Sequence, residues 1–329
     1  MGTQAREAAD AAEGIGRAVE ACARLRAALA EILYGQDELV DGLTVSVLAG
    51  GHVLMEGPPG VGKTLAARAL ARLLGGGFAR IQCVPDLLPA DITGSSVWLR
   101  EQAEFRIRRG PVFAHVVLAD ELNRATPRTQ SALLEAMAEG QVTIDGERLA
   151  LPQPHVVIAT QNPADSEGTY PLPLSERDRF LVALRIGYPD PERERALLAA
   201  TGPVGLDRLD DLEPVGGGPA GWVEARRAVR TGVQVRSEVA DYVHRLLVAT
   251  RGHPDLEFGI SPRGGLLLLA VARARAALSG RDFVTPDDVQ AAWLPVARHR
   301  IRPQPEVELE GFDADELLSR LAGETEVPR

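Results

Sequence analysis

The sequence is almost free of lysine: Lys63 is the only one in 329 residues, and every other strongly basic side chain is arginine. Cysteine is nearly absent too, with only Cys22 and Cys83, and aromatic residues make up 4%. Two cysteines without ligand spacing exclude a disulfide framework and a cysteine-based metal site. Cys83 ends an apolar run and Cys22 lies in an alanine-rich stretch, so both read as small buried side chains. The six histidines are scattered; His52, His115 and His155 each stand just before an apolar run, and none pairs at helical ligand spacing. No apolar run reaches the roughly 18 residues of a membrane span, so none is expected. The first residues lack the basic start and apolar core of a signal peptide, which makes the cytoplasm the expected compartment. Few aromatics leave few platforms for stacking bases, and a net charge of −10 argues against a nucleic-acid-binding surface.

What remains is ordinary globular material, 45% hydrophobic and 25% charged, long enough for one large domain and a smaller one. Residues 1–29 read as a leader and a helix, with 1–16 expected to fray and Cys22, Leu25, Leu29, Ile32 and Leu33 giving the helical period. A helix is expected over 37–48. Five short apolar runs follow, at 52–57, 79–84, 116–121, 155–160 and 180–186, separated by helical stretches. That alternation predicts an α/β core, about 30–190, with a parallel sheet covered on both faces. Segments 92–113 and about 141–152 alternate apolar and polar residues and read as inserted hairpins, the second turning at Asp145-Gly146. Strands are expected to stop at Tyr188-Pro189. Residues 191–221 form a linker whose Gly/Pro-rich part, 213–221, reads as flexible. Helix starts at Ser237, Ser261-Pro262 and Thr285-Pro286 predict an all-α domain over 222–302, followed by an acidic tail, 303–329, in which Phe312–Leu321 reads as a final amphipathic turn or two.

The chemistry concentrates in Gly57-Pro58-Pro59-Gly60-Val61-Gly62-Lys63-Thr64, which matches G-x-x-x-x-G-K-[ST] between a strand and a helix. Glycines there let backbone N–H groups turn inward around phosphates at a helix N-terminus. Contacts to ATP are expected along this stretch and Leu65, with Lys63 on the β/γ-phosphates and Thr64 on Mg²⁺. A lone lysine among arginines suits a place where a planar guanidinium cannot replace a compact ammonium. Asp120 and Glu121 close an apolar strand, Asp120 placed to hold Mg²⁺ and Glu121 to polarise the attacking water. Asn162, past the next strand, is placed to bond both that water and the γ-phosphate. Arg179 and Arg263 are the remaining charge candidates.

These residues resemble the AAA+ superfamily and, within it, the MoxR-type ATPases. The resemblance spans about 30–302 and rests on GPPGVGKT, ADELNRATPRTQSALLEAMAEG, ATQNP, GTYPLPLSERDRF, ISPRG and GRDFVTPDDVQ. It implies a five-stranded P-loop core with a helical lid, and an ATP site between protomers of a homo-oligomeric ring, usually a hexamer. It casts Asn162 as sensor 1, Arg179 as the finger given to a neighbour, Arg263 as sensor 2, and Gly35-Gln36 as the adenine-side segment. The two hairpins resemble the helix-2 insert and pre-sensor-1 hairpin of that clade. It further implies chaperone-like remodelling of a protein client alongside a separate von Willebrand factor A domain protein. Two departures stand out. Leu174-Ser175-Glu176-Arg177 replaces the usual acid-small-Gln-Leu run, leaving Arg177 and then Arg124 as alternative fingers. Gly264-Gly265 sit inside a helix start, each costing about 1 kcal/mol relative to alanine. A DNA-acting motor, supported by Arg100, Arg106, Arg108 and Arg109, and a nucleotide-gated scaffold without turnover remain alternatives.

Overall fold

The computed structural model describes residues 3–162, 168–199 and 205–328. Pro163 of the ATQNP stretch and residues 200–204 of the expected linker lie outside the described residues.

The chain opens with helices α1 (Thr3–Ala30) and α2 (Asp37–Ala49). Strand β1 (Val53–Glu56), helix α3 (Lys63–Leu74), strand β2 (Phe78–Gln82) and the short helix α4 (Pro89–Thr93) follow. The hairpin β3 (Gly94–Leu99) and β4 (Glu104–Arg109) precedes β5 (Val116–Asp120) and α5 (Pro127–Glu139). A second hairpin, β6 (Gln141–Ile144) and β7 (Glu147–Ala150), leads to β8 (Val156–Gln161), the one-turn helix α6 (Leu174–Arg177) and β9 (Val182–Arg185). Its turn falls at Asp145 and Gly146, both at positive φ (48° and 85°), as a tight two-residue hairpin requires. Next come α7 (Pro191–Ala199), α8 (Gly218–Gly232) and α9 (Ser237–Arg251). Then β10 (Leu256–Phe258), α10 (Pro262–Leu278), α11 (Pro286–Ala297), β11 (Arg302–Pro303), α12 (Pro305–Leu309) and α13 (Ala314–Glu324) complete the fold. β10 and β11 form a small antiparallel ribbon inside the otherwise helical lid.

Strand order is β2-β5-β8-β1-β9, and every neighbouring pair is parallel. Successive strand residues point to opposite faces; in the central strands both faces are dry, while edge strand β2 leaves Arg80 and Gln82 exposed. Val53, Met55, Val116, Leu118, Val156 and Ile158 enter the core beneath α1–α3 and the lid. Leu54, Val117, Ala119, Val157 and Ala159 enter the core beneath α4 and α5. Continuous apolar runs, rather than alternating ones, are the consequence. Because the strands are parallel, their carboxyl ends share one edge of the sheet and their amino ends the other.

Two expectations change. The stretch 1–16, expected to fray, is helical from Thr3 and buries Ile15, while beyond it Cys22, Leu25 and Leu29 keep the helical period read from the sequence and pack with Ala18 against α2 and α8. The stretch 213–221 is a packed turn. The Val215 N–H donates to Leu73, Trp222 Nε1 donates to Val215, and a Cβ on Gly221 would meet the Gly216 carbonyl at 1.9 Å. The glycines there answer close approach, not mobility. The amphipathic stretch expected in the acidic tail is α13, where Leu317, Leu318 and Leu321 are buried and Trp293 Nε1 donates to Leu318 at 2.9 Å. One cap shifts as well: Arg236 caps α9, with Ser237 its first residue and no side-chain cap bond.

Leu25 is fully buried. Leu25→Ala is therefore expected to lower stability by about 2–5 kcal/mol in urea unfolding, as for other core leucines. An unchanged unfolding midpoint would show that α1 does not pack on the core.

Candidate active site

The carboxyl edge gathers most of the site expected from sequence. Glu56 ends β1, and the loop that follows turns into α3 through Gly60 and Gly62, at φ 83° and 89°. A Cβ on either glycine would meet nothing within 4 Å beyond its chain neighbours, so the loop has open space beside it at the start of a helix. Gly57 is constrained differently: a Cβ there would meet the Ile186 carbonyl at 2.2 Å, because the loop crosses directly over the end of β9. The Lys63 ammonium donates to the Gly57 carbonyl at 2.7 Å, which folds its side chain back over the loop. Thr64 lies one residue into α3, half-buried. Gln36, ahead of the core, donates to the Gly187 carbonyl beyond β9 at 3.3 Å, and Gly35 takes φ 72° against Arg193. Both therefore stand at the same edge as the loop. An open glycine cradle, an ammonium and a hydroxyl are the donor set that phosphate and Mg²⁺ call for.

Asp120 and Glu121 follow at the end of β5, one strand beyond β8. Glu121 takes left-handed backbone angles, φ 56° and ψ 50°, at a cost on the order of 1–3 kcal/mol for a residue with a side chain. One hydroxyl holds that turn. Thr160, fully buried in β8, accepts the Glu121 N–H at 2.8 Å and donates to Asp120 Oδ1 at 2.7 Å. Thr160 went unnoticed in the sequence, where the only signal is a polar residue inside the apolar run HVVIAT. Asn162 emerges half-buried just past β8 at the same edge, and the Gly57 N–H donates to its neighbour Gln161 at 3.3 Å.

Arginines balance both carboxylates. Arg80 pairs with Asp120 Oδ2 at 2.6 Å and also donates to Gln82 Oε1 at 2.7 Å. Arg124 pairs with Glu121 Oε2 at 3.0 Å, and Gln82 Nε2 reaches the same oxygen at 3.5 Å. Arg124 therefore serves a carboxylate of its own chain.

Arg179 and Arg263 lie elsewhere. Residues 177–180 precede β9 and so sit at the amino edge, where the Leu181 N–H donates to the His52 carbonyl ahead of β1. Arg179 donates to the Leu134 carbonyl of α5 at 2.7 Å, while the Arg177 Nε is buried without a hydrogen-bond partner. Burial lowers the Arg177 pKa. Arg263 is exposed at the start of α10, beside a serine, Ser261, that bonds Asp178 at 2.9 Å. It also acts on His52, whose pKa burial and His155 push down to about 3, with Arg226 and Arg263 adding to the shift. His52 is fixed neutral: Nδ1 accepts from the Val157 N–H at 3.0 Å, leaving Nε2–H to donate to Met137 at 3.2 Å. The structure thus brings Gln36, the P-loop, Asp120, Glu121 and Asn162 together, and sets Arg177, Arg179 and Arg263 at the opposite edge of the same sheet.

Thr160→Val strands the Glu121 N–H and removes a partner of Asp120. It is expected to destabilise by about 1–3 kcal/mol in urea unfolding and to weaken Mg²⁺-dependent nucleotide binding in a fluorescence titration. Wild-type values in both would make the hydroxyl bridge incidental.

Comparison with known proteins places this geometry in a family. Residues 52–182 match the model of the ATPase family associated with various cellular activities (AAA), and residues 248–321 match the AAA lid domain. Chaperone MoxR1 of Mycobacterium tuberculosis is 42% identical over 88% of this chain and 78% of its own length. The uncharacterized protein YeaC of Bacillus subtilis is 41% identical over 95% of both chains. The crystal structure of a candidate ATPase from Cytophaga hutchinsonii, 30% identical, superposes over 100% of both chains with a TM-score of 0.88. The chain belongs to the MoxR family of AAA ATPases.

Proposed function

We propose that the chain binds ATP and hydrolyses it at a site completed by a second copy, driving chaperone-like remodelling of a protein client. The observation that carries this reading is the separation just described: phosphate-binding groups at the carboxyl edge, Arg179 and Arg263 at the amino edge. A sheet cannot fold its two edges together. Arginines that neutralise the γ-phosphate must then come from an adjacent protomer, which a closed ring supplies to every site. Arg263 so placed serves the neighbour's nucleotide.

Within one site, Lys63 releases the Gly57 carbonyl to grip the β/γ-phosphates, and the loop N–H groups between Gly57 and Thr64 wrap them. Thr64 and Asp120 are the residues that would hold Mg²⁺, whose charge offsets that of the phosphates. Glu121 polarises the attacking water once its carboxylate leaves Arg124, and Asn162 orients that water against the γ-phosphate. Gly35 and Gln36 border the adenine. The name Chaperone MoxR1 on a relative 42% identical supports the remodelling role. A hexameric ring and a separate von Willebrand factor A domain partner complete the proposal.

Arg179→Ala is expected to retain nucleotide binding and lose about 10³–10⁵ in turnover, the range for a removed arginine finger. Normal turnover in an assembled ring would move the finger to Arg177. Glu121→Gln should bind ATP and release no phosphate, and that trapped form is the bait for identifying clients by mass spectrometry. Lys63→Arg keeps the charge but presents a planar fork to a cradle shaped for an ammonium, so ATP affinity should fall despite the conserved charge. Wild-type affinity in that variant would make the lone lysine an accident of composition.

A further inference from the structure

Asp178 lies between Arg177 and Arg179 and has a role of its own. Its Oδ1 accepts from Arg300 Nε at 2.8 Å, and its Oδ2 accepts from the Ser261 hydroxyl at 2.9 Å. Ser261 is at the same time the cap of α10, its Oγ accepting the Gly264 N–H at 3.1 Å. Arg300 comes from the far end of the lid, and its side chain is 1% exposed. Its remaining donors reach the carbonyls of Asp178 and Leu181, both at 3.2 Å, and those of Phe180 and Val296. One carboxylate therefore joins three segments: the turn before β9, the first turn of α10 and the residues after α11.

The packing around the carboxylate is built for this. A Cβ on Gly264 would stand 2.9 Å from Arg300 Cδ and 2.5 Å from Ile260, and one on Gly265 would stand 2.6 Å from Leu247. Gly264, whose place next to Arg263 costs helix propensity, leaves the space through which Arg300 reaches Asp178, and Gly265 leaves room for Leu247. On the other side, residues 177–180 form one hydrogen-bonded turn. Asp178, Arg179 and Phe180 donate from their N–H groups to Leu174, Glu176 and Arg177 at 3.0–3.1 Å. Fixing Asp178 fixes the backbone of both flanking arginines, and fixing Ser261 fixes the start of the helix that carries Arg263.

We propose that Asp178 is a positioning residue that holds Arg179 and Arg263 as one rigid unit for presentation to the nucleotide of the adjacent protomer. The proposal rests on the shared-site reading above. Asp178 does not touch the phosphates; it acts through the two arginines. A carboxylate suits the task because it accepts from the buried guanidinium on one oxygen and from the serine on the other. An amide in its place keeps one acceptor and loses the charge that offsets Arg300.

The test measures the effect on a neighbour's site. Donor chains carrying Lys63→Ala, which disables their own site, are mixed in excess with wild-type chains, and steady-state turnover per wild-type chain is recorded across ATP concentration. Donors with Lys63→Ala alone set the reference rate, and donors with Lys63→Ala and Arg179→Ala set the level of full loss. Donors with Lys63→Ala and Asp178→Asn are expected to lower kcat of the wild-type sites about 10- to 100-fold with KM little changed. Misplacing a catalytic group by about 1 Å costs on that order, while the acceptor's own P-loop is intact. Donors with Lys63→Ala and Ser261→Ala keep the Asp178–Arg300 pair, and with it the fold, and should lower kcat in the same direction. Sedimentation of each mixture confirms assembly; if the Asp178→Asn donor fails to assemble, the serine variant decides. Reference rates with the clasp variants, alongside loss with the Arg179→Ala donor, overturn the positioning role alone. Reference rates with every donor overturn the shared site as well.

Discussion

Everything in this molecule that concerns phosphate follows from the parallel register of five short strands. Parallel strands send all their carboxyl ends to one edge, so loops separated by more than 100 residues in sequence become neighbours there. The P-loop after β1, the carboxylates after β5 and Asn162 after β8 meet for this reason alone. The same register sends the residues before β9 to the opposite edge, along with the lid helix that packs on them. The residues that the sequence offers for one site thereby fall at two opposite edges of the sheet. In the proposed reading, closure of the chemistry becomes a question of assembly.

The charge arrangement at the carboxylates suits such a division. Asp120 and Glu121 are held by Arg80 and Arg124, side chains 48% and 47% exposed that can swing away at small cost. The buried bond from Thr160 stays, so the backbone geometry of the pair is kept whether or not the arginines are engaged. Arg300 is the opposite case. Its burial pulls its pKa down to about 10, and Asp178 with the surrounding carbonyls is what keeps a charge tolerable in that place. Exposed arginines are exchangeable partners here, and the buried one is a structural fastener. Lysine, which the chain otherwise avoids, is kept where a compact ammonium has to double back onto its own loop.

Much was legible without coordinates. Near-continuous apolar runs gave the five strands to within a residue or two, because the central strands of a parallel sheet are dry on both faces; edge strand β2, with Arg80 and Gln82 exposed, alternates. Asp145-Gly146 marked the second hairpin through its demand for positive φ, and Ser261 and Thr285 marked helix starts through their caps. The errors share a cause. Residues 1–16 looked like a frayed leader because they carry little apolar surface, yet they continue the helix that packs from Ile15 on. The glycines of 213–221 looked flexible because sequence does not distinguish a glycine that moves from one that makes room. Gly264 and Gly265, which cost helix propensity, likewise make room, for Arg300 and Leu247.

The sequence by itself determined the fold class, the phosphate loop, the acidic pair and the identities of the arginines. These depend on local backbone chemistry and on residue type, and both can be read along the chain. Tertiary structure decided which of those residues share a side of the molecule. It set Thr160 under both carboxylates, gave Arg124 to Glu121, and removed Arg263 from its own P-loop to the edge where Asp178 binds its helix. Such facts depend on strand order and on where the lid packs. Both are set by the burial of surfaces far apart in sequence, and no motif carries that information.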